Sequence, residues 1–383
     1  MTTSACRLRN ETRGCGESEY YLKPIIDGTK PQVVQKRTRV TTTGRGRRLA
    51  GGGTLRTARI ESLATYVPPR VLTNSDLEKM VETSNEWILK RTGIRERHVV
   101  EPGVATSDLA KEAALSAISQ AGLSPEDIGF IVVATTTPDM LFPSTACLVQ
   151  AKIGAVNAWG FDLGAACSGF TYALTTAAQM VATGSHDNAL VIGADVMSSI
   201  IDYQDRATCV LFGDGAGAAV VSPATEDGLG IVDFAHEVDG NGGPALCMPA
   251  GGSLRPASHE TVDQRMHYVH QDGATVFKFA VRKTEEMCRK VLAQNDIGAD
   301  DVDLFVCHQA NRRIIESAAD RLGLDRKKIV INIERFGNTT AATIPLALAD
   351  AIAAGRLKKG HRVLLTSVGA GFTAGAVLLR WAY

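Results

Sequence analysis

The sequence contains an internal repeat, which constrains its fold more than any other single feature. The segment "EDIGFIVVA" at 126–134 resembles "DDVDLFVCH" at 300–308, and an Ala-rich segment at 167–184 resembles another at 338–355. The offsets of the two pairs are 174 and 171 residues, and each Ala-rich segment ends in glycine and leads into an apolar strand. Two matches in the same order indicate a duplicated α/β unit. We therefore expect two similar halves that pack face to face.

Helical and strand patterns alternate along most of the chain. "SDLAKEAALSAISQAGL" at 107–123 places its alanines on one helical face, with Ser107 as the N-cap and Gly122 as the stop. The apolar run that follows at 128–136 is typical of a buried strand in a parallel sheet that is covered on both faces. The pattern predicts an α/β protein.

Composition excludes several classes of protein. The 383 residues include 41 basic and 41 acidic side chains, so there is no general attraction to nucleic acid or to an anionic membrane. No apolar stretch reaches the roughly 18 residues of a membrane-spanning helix. The eight cysteines are scattered without a C-x-x-C pair, which favours buried thiols in a reducing compartment over disulfides or a zinc site.

Residues 1–56 differ in composition from the rest, with twelve Lys or Arg against four Asp or Glu. Their glycine clusters and poor periodicity predict a flexible basic extension. An organelle transit peptide, an over-extended gene start and a functional arm are the alternatives, and a transit peptide would place the protein in a plastid instead of the cytoplasm. The remaining chain divides into an N-terminal half at 57–230 and a C-terminal half at 231–383.

Three polar residues lie at the ends of the repeated units. Cys167, among the small residues of "GFDLGAACSGF", precedes a helix whose N-terminal dipole would favour the thiolate. His308 ends the strand "DLFVCHQAN", and Asn338 follows a glycine in "RFGNTTAAT". The duplication could bring the three together as a nucleophilic site. A buried structural thiol, a core histidine and a helix-capping asparagine are the alternatives.

From about residue 57 onward the chain resembles the β-ketoacyl-ACP synthase III family, the initiating condensing enzymes of type II fatty acid synthesis. The motifs that carry the resemblance are "TSNEWILKRTGIRERH", "DLGAACSGFTYAL", "FGDGAGAAV", "HQANRRII", "FGNTTAATIPLAL" and "GAGFTAG". The resemblance implies the thiolase-like fold, whose duplicated halves form a five-layered α-β-α-β-α core.

The same resemblance implies an activity. The family condenses a short acyl-CoA primer with malonyl-ACP and releases 3-ketoacyl-ACP, CO₂ and CoA, with neither a metal nor a redox cofactor. An acyltransferase of this fold, a condensing enzyme of secondary metabolism and a catalytically inactive partner subunit are the alternatives. An intact cysteine and the "HQAN" and "GNTTAAT" motifs favour condensation.

The family's catalytic triad matches Cys167 as the nucleophile, with His308 and Asn338 as hydrogen-bond donors to the enolate of the malonyl thioester. The backbone N–H groups of Cys167 and Ala370 would form the oxyanion hole. With a thiolate supplied by the helix dipole, His308 need not act as its base.

The resemblance also implies which residues bind CoA, the acyl carrier protein and the acyl group. The residues that match the family's CoA and pantetheine contacts are Trp87, Arg91, Arg206 and Asn311. The residues that match its basic face for acyl carrier protein are Lys278, Arg313 and Arg321. The acyl pocket would include Val368 and, from the partner subunit of a homodimer, the residue matching Phe142.

Two departures from the family pattern affect the primer. Val368 replaces a phenylalanine, which predicts a roomier acyl pocket, and Ala370 replaces a glycine at an oxyanion donor. The segment 237–273 is also longer than is typical. The sequence does not decide whether the primer is acetyl, branched or longer.

Overall fold

The computed structural model describes residues 55–383, so the predicted extension at 1–56 lies outside the described residues except for its last two. Arg56 belongs to the folded body. Its backbone N–H donates to the carbonyl of Ala182 at 3.0 Å, and its guanidinium donates to the carbonyl of Val181 at 2.9 Å. The division of the chain at residue 57 stays a prediction.

The described residues form strands and helices in alternation. The strands are β1 Ala58–Tyr66, β2 Val71–Thr73, β3 Glu96–His98, β4 Phe130–Ala134, β5 Trp159–Leu163, β6 Ala189–Asp195, β7 Gly215–Pro223, β8 Gly230–Val238, β9 Leu246–Cys247, β10 His270–Gln271, β11 Leu304–Cys307, β12 Arg362–Gly369 and β13 Thr373–Arg380. The α-helices are α1 Asn74–Leu77, α2 Asn85–Thr92, α3 Thr106–Gln120, α4 Thr145–Ile153, α5 Gly169–Ala182, α6 Arg206–Cys209, α7 His259–Asp263, α8 Gly273–Gln294, α9 Arg312–Leu322, α10 Ile333–Phe336 and α11 Thr343–Ala353.

Two sheets repeat one pattern of strand pairing. The first has the order β1-β7-β6-β4-β5 and the second has the order β11-β12-β13-β8. β4 runs parallel to β6 as β11 does to β12, and β6 runs antiparallel to β7 as β12 does to β13. β1 and β8 then pair antiparallel to β7 and β13. The duplication predicted from the repeats is confirmed, and β5 is an edge strand without a counterpart in the second sheet.

The layers follow from the alternation of buried side chains along the strands. On β4, Phe130 and Val132 face a middle layer made of α5 and α11, while Ile131 and Val133 face the outer helices α3 and α4. The second sheet also faces α5 and α11 on one side and is covered by α8 and α9 on the other. The result is the predicted five-layered α-β-α-β-α core, with both Ala-rich repeats in its centre.

Small residues let this middle layer lie directly on the sheet. A Cβ atom at Gly193 on β6 would lie 2.5 Å from the carbonyl oxygen of Ala341. Similarly, a Cβ atom at Gly217 on β7 would lie 2.4 Å from Pro345. This close approach sets the position of the turn that precedes α11, which carries part of the site described below.

The predicted N-cap of α3 is wrong by two residues. Ala105 occupies the N-cap position, and its N–H donates to the Asp108 carboxylate at 3.0 Å. Ser107 instead donates its hydroxyl hydrogen to Asp139. The predicted stop agrees with the structure, because Gly122 follows the helix with a left-handed φ of 69°. Among the described helices, none is long and apolar enough to cross a bilayer.

Candidate active site

Cys167 lies in a single 3₁₀ turn, Ala166–Ser168, immediately before α5. Ala166 has a left-handed φ of 47°, which turns the chain sharply from β5 into the helix. The end of β12 lies against this turn, since a Cβ atom at Gly369 would lie only 2.8 Å from the backbone nitrogen of Cys167. The Cys167 side chain is buried in the molecule and lines a cavity.

His308 directly follows β11 and is 2 % exposed. Its backbone N–H donates to the carbonyl of Thr366 at 2.8 Å, and its ring Nδ1 lies 2.6 Å from the hydroxyl oxygen of Thr343. The other ring nitrogen, Nε2, has no hydrogen-bond partner within residues 55–383. Because the ring lines the same cavity as Cys167, Nε2 is the nitrogen available to a bound substrate.

Asn338 is held on both sides of its backbone. Its N–H donates to the carbonyl of Leu211 at 2.9 Å, and its carbonyl accepts from the N–H of Gly213 at 3.1 Å. The side-chain Oδ1 accepts from the N–H of Thr340 at 2.9 Å, and only an oxygen can accept that bond. The amide NH₂ is therefore left to face the cavity.

The structure thus brings Cys167, His308 and Asn338 to one cavity of about 220 Å³, as the sequence predicted. Cys167 lies in the turn after β5, and His308 lies at the carboxyl end of β11. No direct hydrogen bond joins Cys167 to either of the other two among the described residues.

Burial shifts the pKa values of two of these side chains. Burial raises the pKa of the Cys167 thiol to about 12, and the nearby carboxylate of Asp195 acts in the same direction, against the smaller effect of the Cys167 N–H. Burial therefore opposes the thiolate that the helix end is expected to favour, and the thiolate stays a prediction. Burial lowers the pKa of His308 to about 3, so this ring is neutral.

The two residues predicted to supply the oxyanion donors line the same cavity. The N–H groups of Cys167 and Ala370 have no acceptor in the part of the chain that the structure describes, and both residues line the cavity. Val368 lines it as well, as predicted for the acyl pocket. Phe142 is 82 % exposed and lies outside the cavity of its own chain.

Three of the residues predicted to hold CoA form a cluster around the ring of Trp87. The guanidinium carbons of Arg91 and Arg206 lie 5.8 and 5.1 Å from the centroid of the Trp87 ring. Neither arginine has a carboxylate partner among residues 55–383. Asn311 donates to the carbonyl of Arg91 at 3.0 Å and caps α9 through the N–H of Arg313, so it joins the cluster to the cavity wall.

The residues predicted to bind acyl carrier protein lie on α8 and α9, which are adjacent. Lys278, Arg313 and Arg321 are all exposed. Arg313 stacks over Phe277 at 5.4 Å, whereas Arg321 is 3.3 Å from the carboxylate of Glu285 and is partly neutralised. The positive face therefore depends mainly on Lys278 and Arg313.

Sequence reasoning missed most of the apolar wall. It comes from the turn after β6, the long segment at 240–271, α8 and the turn after β12. Its large side chains are Met197, Ile200, Leu246, Met248, Val269, Phe277, Phe279 and Phe372. These residues lie largely in short elements without periodicity, so the pattern of the sequence gives no sign that they share one surface. The phenylalanines at 279 and 372 stack with ring centroids 4.1 Å apart.

The duplicated five-layered fold, with a cysteine at a helix N-terminus and a histidine and an asparagine facing it, defines a thiolase-like condensing enzyme. Family models for 3-oxoacyl-[acyl-carrier-protein] synthase III match residues 161–240 and, for its C-terminal part, 292–381. A β-ketoacyl-[acyl-carrier-protein] synthase III of Koribacter versatilis is 60% identical over 86% of this chain and 99% of its own length. The chain belongs to the 3-oxoacyl-[acyl-carrier-protein] synthase III family.

Solved structures of similar sequence have the same fold as this chain. The 3-oxoacyl-[acyl-carrier-protein] synthase III of Aquifex aeolicus is 43% identical, with a TM-score of 0.78 over 85% of this chain and 100% of that one. The priming β-ketosynthase of the R1128 polyketide pathway is 34% identical, with a TM-score of 0.79 over 86% of this chain and 97% of that one. Family membership makes this chain an acyltransferase of the condensing type.

Proposed function

We propose that this enzyme condenses a short acyl-CoA primer with malonyl-ACP to give 3-ketoacyl-ACP, CO₂ and CoA, and thereby initiates fatty acid synthesis. The observation that carries the proposal is the convergence of Cys167, His308 and Asn338 on one cavity, with the His308 Nε2 and the Asn338 amide NH₂ unpaired among the described residues. No metal or redox cofactor enters the reaction.

In the first half-reaction the Cys167 sulfur attacks the thioester carbonyl of the primer. The thiol proton leaves as the new C–S bond forms, because the pKa of this thiol is raised to about 12, and it ends on the sulfur of the departing CoA. The N–H groups of Cys167 and Ala370 stabilise the oxyanion of the tetrahedral intermediate.

In the second half-reaction malonyl-ACP loses CO₂, and the electron pair of the broken C–C bond forms an enolate. His308 and Asn338 donate hydrogen bonds to its oxygen, where the negative charge develops. The enolate carbon then attacks the acyl carbonyl, the bond to the Cys167 sulfur breaks, and the released thiolate takes a proton from water.

Two positive surfaces suit the two carriers. A planar indole flanked by guanidinium groups matches an adenine nucleotide with phosphates, so Trp87, Arg91 and Arg206 would hold CoA, with Asn311 toward the pantetheine arm. Acidic acyl carrier protein would bind the exposed face formed by the basic residues of α8 and α9, which are Lys278, Arg313 and Arg321.

A homodimer would complete the acyl pocket. Leu141 and Phe142 are each 82 % exposed, and Trp159 on the edge strand β5 is 50 % exposed. An open edge strand beside exposed apolar side chains is a surface that soluble proteins normally cover. Pairing of two copies there would bury these groups and place Phe142 of each subunit at the pocket of the other.

The test is reconstitution with malonyl-ACP and a panel of acetyl-, branched and longer acyl-CoAs. Mass spectrometry of the carrier protein should detect 3-ketoacyl-ACP with one CO₂ released per turnover, and Val368 should allow primers bulkier than acetyl. Transfer of the primer to another acceptor without CO₂ release would instead assign an acyltransferase. Strict preference for an unusual primer would favour the role of a priming ketosynthase in secondary metabolism.

A further inference from the structure

The hydroxyl group of Thr343 contacts the ring of His308 on the side away from the cavity. Thr343 is the first residue of α11 and is 2 % exposed. Its Oγ1 lies 2.6 Å from the His308 Nδ1 and 3.0 Å from the carbonyl oxygen of Thr340. A hydroxyl donates one hydrogen bond and can accept another. Thr343 therefore either donates to Nδ1, or donates to the carbonyl of Thr340 while it accepts an N–H from Nδ1.

The proposed function decides between these two arrangements. The carbonyl of Thr340 already accepts the backbone N–H of Thr343, so it has a partner without the hydroxyl. The His308 Nδ1 has no other partner among the described residues, and a buried polar atom without a partner costs about 1–3 kcal/mol. The contact to Nδ1 is also the shorter of the two. In the proposed function His308 donates to the malonyl thioester through Nε2, so Nδ1 of the neutral ring carries no hydrogen and accepts the hydroxyl hydrogen of Thr343.

A neutral imidazole carries one N–H hydrogen, and Nδ1 cannot hold it while accepting a bond from Thr343. The hydrogen then resides on Nε2, which faces the cavity. From this geometry we infer that Thr343 is a positioning residue, which fixes His308 in its Nε2–H tautomer and so makes the ring a hydrogen-bond donor toward the thioester oxygen of the malonyl group. The inference rests on the proposed function, because it names what His308 does in the decarboxylation step.

The turn before α11 holds this arrangement rigidly. Thr340 has a left-handed φ of 50°, and its hydroxyl and the N–H of Ala341 both donate to the buried carboxylate of Asp195. The same residue, Thr340, donates its own N–H to the side chain of Asn338. One short segment therefore orients both donors, Asn338 directly and His308 through Thr343.

The step assigned to His308 keeps its proton in place. The C–C bond to the malonyl carboxylate breaks, CO₂ leaves, and the electron pair passes into the enolate, whose oxygen accepts hydrogen bonds from Nε2–H and the Asn338 amide. Because the ring donates without being deprotonated, it does not have to take the proton of Cys167 in the first half-reaction.

The experiment measures the two half-reactions separately in Thr343→Val, Thr343→Ser and the wild-type enzyme. The valine variant keeps the shape but removes the hydroxyl, so release of CO₂ from malonyl-ACP should fall roughly tenfold or more. Acylation by acyl-CoA should change by less than about threefold, and the serine variant should recover most of the decarboxylation. Thr284→Val is the matched control, because Thr284 is another fully buried threonine and lies outside the cavity.

A second measurement does not depend on any variant folding. ¹⁵N NMR of histidine-labelled wild-type enzyme, with His308 assigned by difference from His308→Gln, should find Nε2 protonated and Nδ1 unprotonated at neutral pH. A hydrogen on Nδ1, or a valine variant that releases CO₂ at the wild-type rate, would overturn the role of Thr343. Wild-type enzyme that releases no CO₂ from malonyl-ACP would instead refute the proposed function, so the two failures are distinct.

Discussion

At the scale of single residues, the candidate nucleophile is a buried thiol. Cys167 is 7 % exposed, whereas Cys147 is an exposed free thiol on α4. Exposure therefore does not select the nucleophile. The position of Cys167 makes it the candidate, since it shares a cavity with two N–H groups that have no acceptor among residues 55–383 and with the side chains of His308 and Asn338.

Cys167→Ser should lose transacylation almost completely. A serine hydroxyl is a weaker nucleophile than a thiol, and the site has no base in contact with this position among the described residues. The rate of mass increase after addition of acyl-CoA measures the effect, and Cys147→Ser is the control that should acylate normally. A stable acyl adduct on Cys167→Ser, formed at the wild-type rate, would remove Cys167 from its role.

Loss of either side-chain donor should block decarboxylation selectively. Asn338→Ala and His308→Ala should each lower CO₂ release from malonyl-ACP by about 100-fold or more, the usual cost of removing one oxyanion donor. Both variants should still accept some acyl group on Cys167, because the first oxyanion is held by backbone N–H groups. If one variant released CO₂ as fast as wild type, that residue would need a different role.

At the scale of secondary-structure elements, β12 packs closely against the turn that carries Cys167. A Cβ atom at Gly369 would lie 2.8 and 3.0 Å from the backbone nitrogens of Cys167 and Ser168. Gly369→Ala should therefore displace the turn and lower the acylation rate, by about tenfold if one oxyanion bond is weakened.

The matched control for that change is Gly252→Ala, since a Cβ atom at Gly252 would meet nothing within 4 Å. Stopped-flow measurement of CoA release compares the two variants. Equal acylation by Gly369→Ala and wild type would contradict the assigned contact.

The basic face of α8 and α9 should act mainly on the carrier protein. Arg313→Glu should raise the apparent KM for malonyl-ACP, and more at low salt than at high salt, because exposed charges are screened. Acylation by acyl-CoA should change less in the same variant. Arg380→Glu, at the far end of β13, is the charge-matched control. An equal loss in both half-reactions would indicate a structural role for Arg313.

At the scale of the whole molecule, buried histidines couple stability to pH. Burial lowers the pKa of His236 to about 4 from an ordinary value of 6.5. Below pH 6.5 the unfolded chain therefore binds a proton that the folded chain does not bind until near pH 4. Stability contributed by the neutral form is present above pH 6.5 and is lost as the pH falls from 6.5 toward 4.

His236→Gln removes this titration. From pH 7 to pH 5 the unfolding free energy of wild type should fall by about 2 kcal/mol more than that of the variant. Urea denaturation at the two pH values measures it, with pH 7 against pH 8 as the control interval in which the two slopes should agree. If the unfolding free energies of wild type and His236→Gln fell by the same amount from pH 7 to pH 5, His236 would not titrate as its burial requires.

Much of this molecule could be predicted from its sequence. The repeats at 126–134 and 300–308 became equivalent strands because period, length and order are local properties that survive in the chain. The three site residues were found for the same reason, since each lies at a fixed place in its repeated unit. The end of α3 at Gly122 followed from the conformational freedom of glycine.

The properties that the sequence did not predict depend on contacts between distant segments. The burial that raises the pKa of the Cys167 thiol depends on segments that are distant in the sequence. The role of Thr343 depends on its distance from His308, 35 residues away in sequence. Ser107 gave a wrong helix start because Asp139, from another segment, took its hydroxyl hydrogen.

The most direct test of the central claim is a trapped acyl-enzyme and its chase. Wild-type enzyme is incubated with acyl-CoA and digested, the acylated peptide is mapped, and a second portion is mixed with malonyl-ACP before analysis. We predict one acyl group on Cys167, which disappears as one equivalent each of CO₂ and 3-ketoacyl-ACP forms. An acyl group on another residue, or one on Cys167 that persists while product accumulates, would contradict the account.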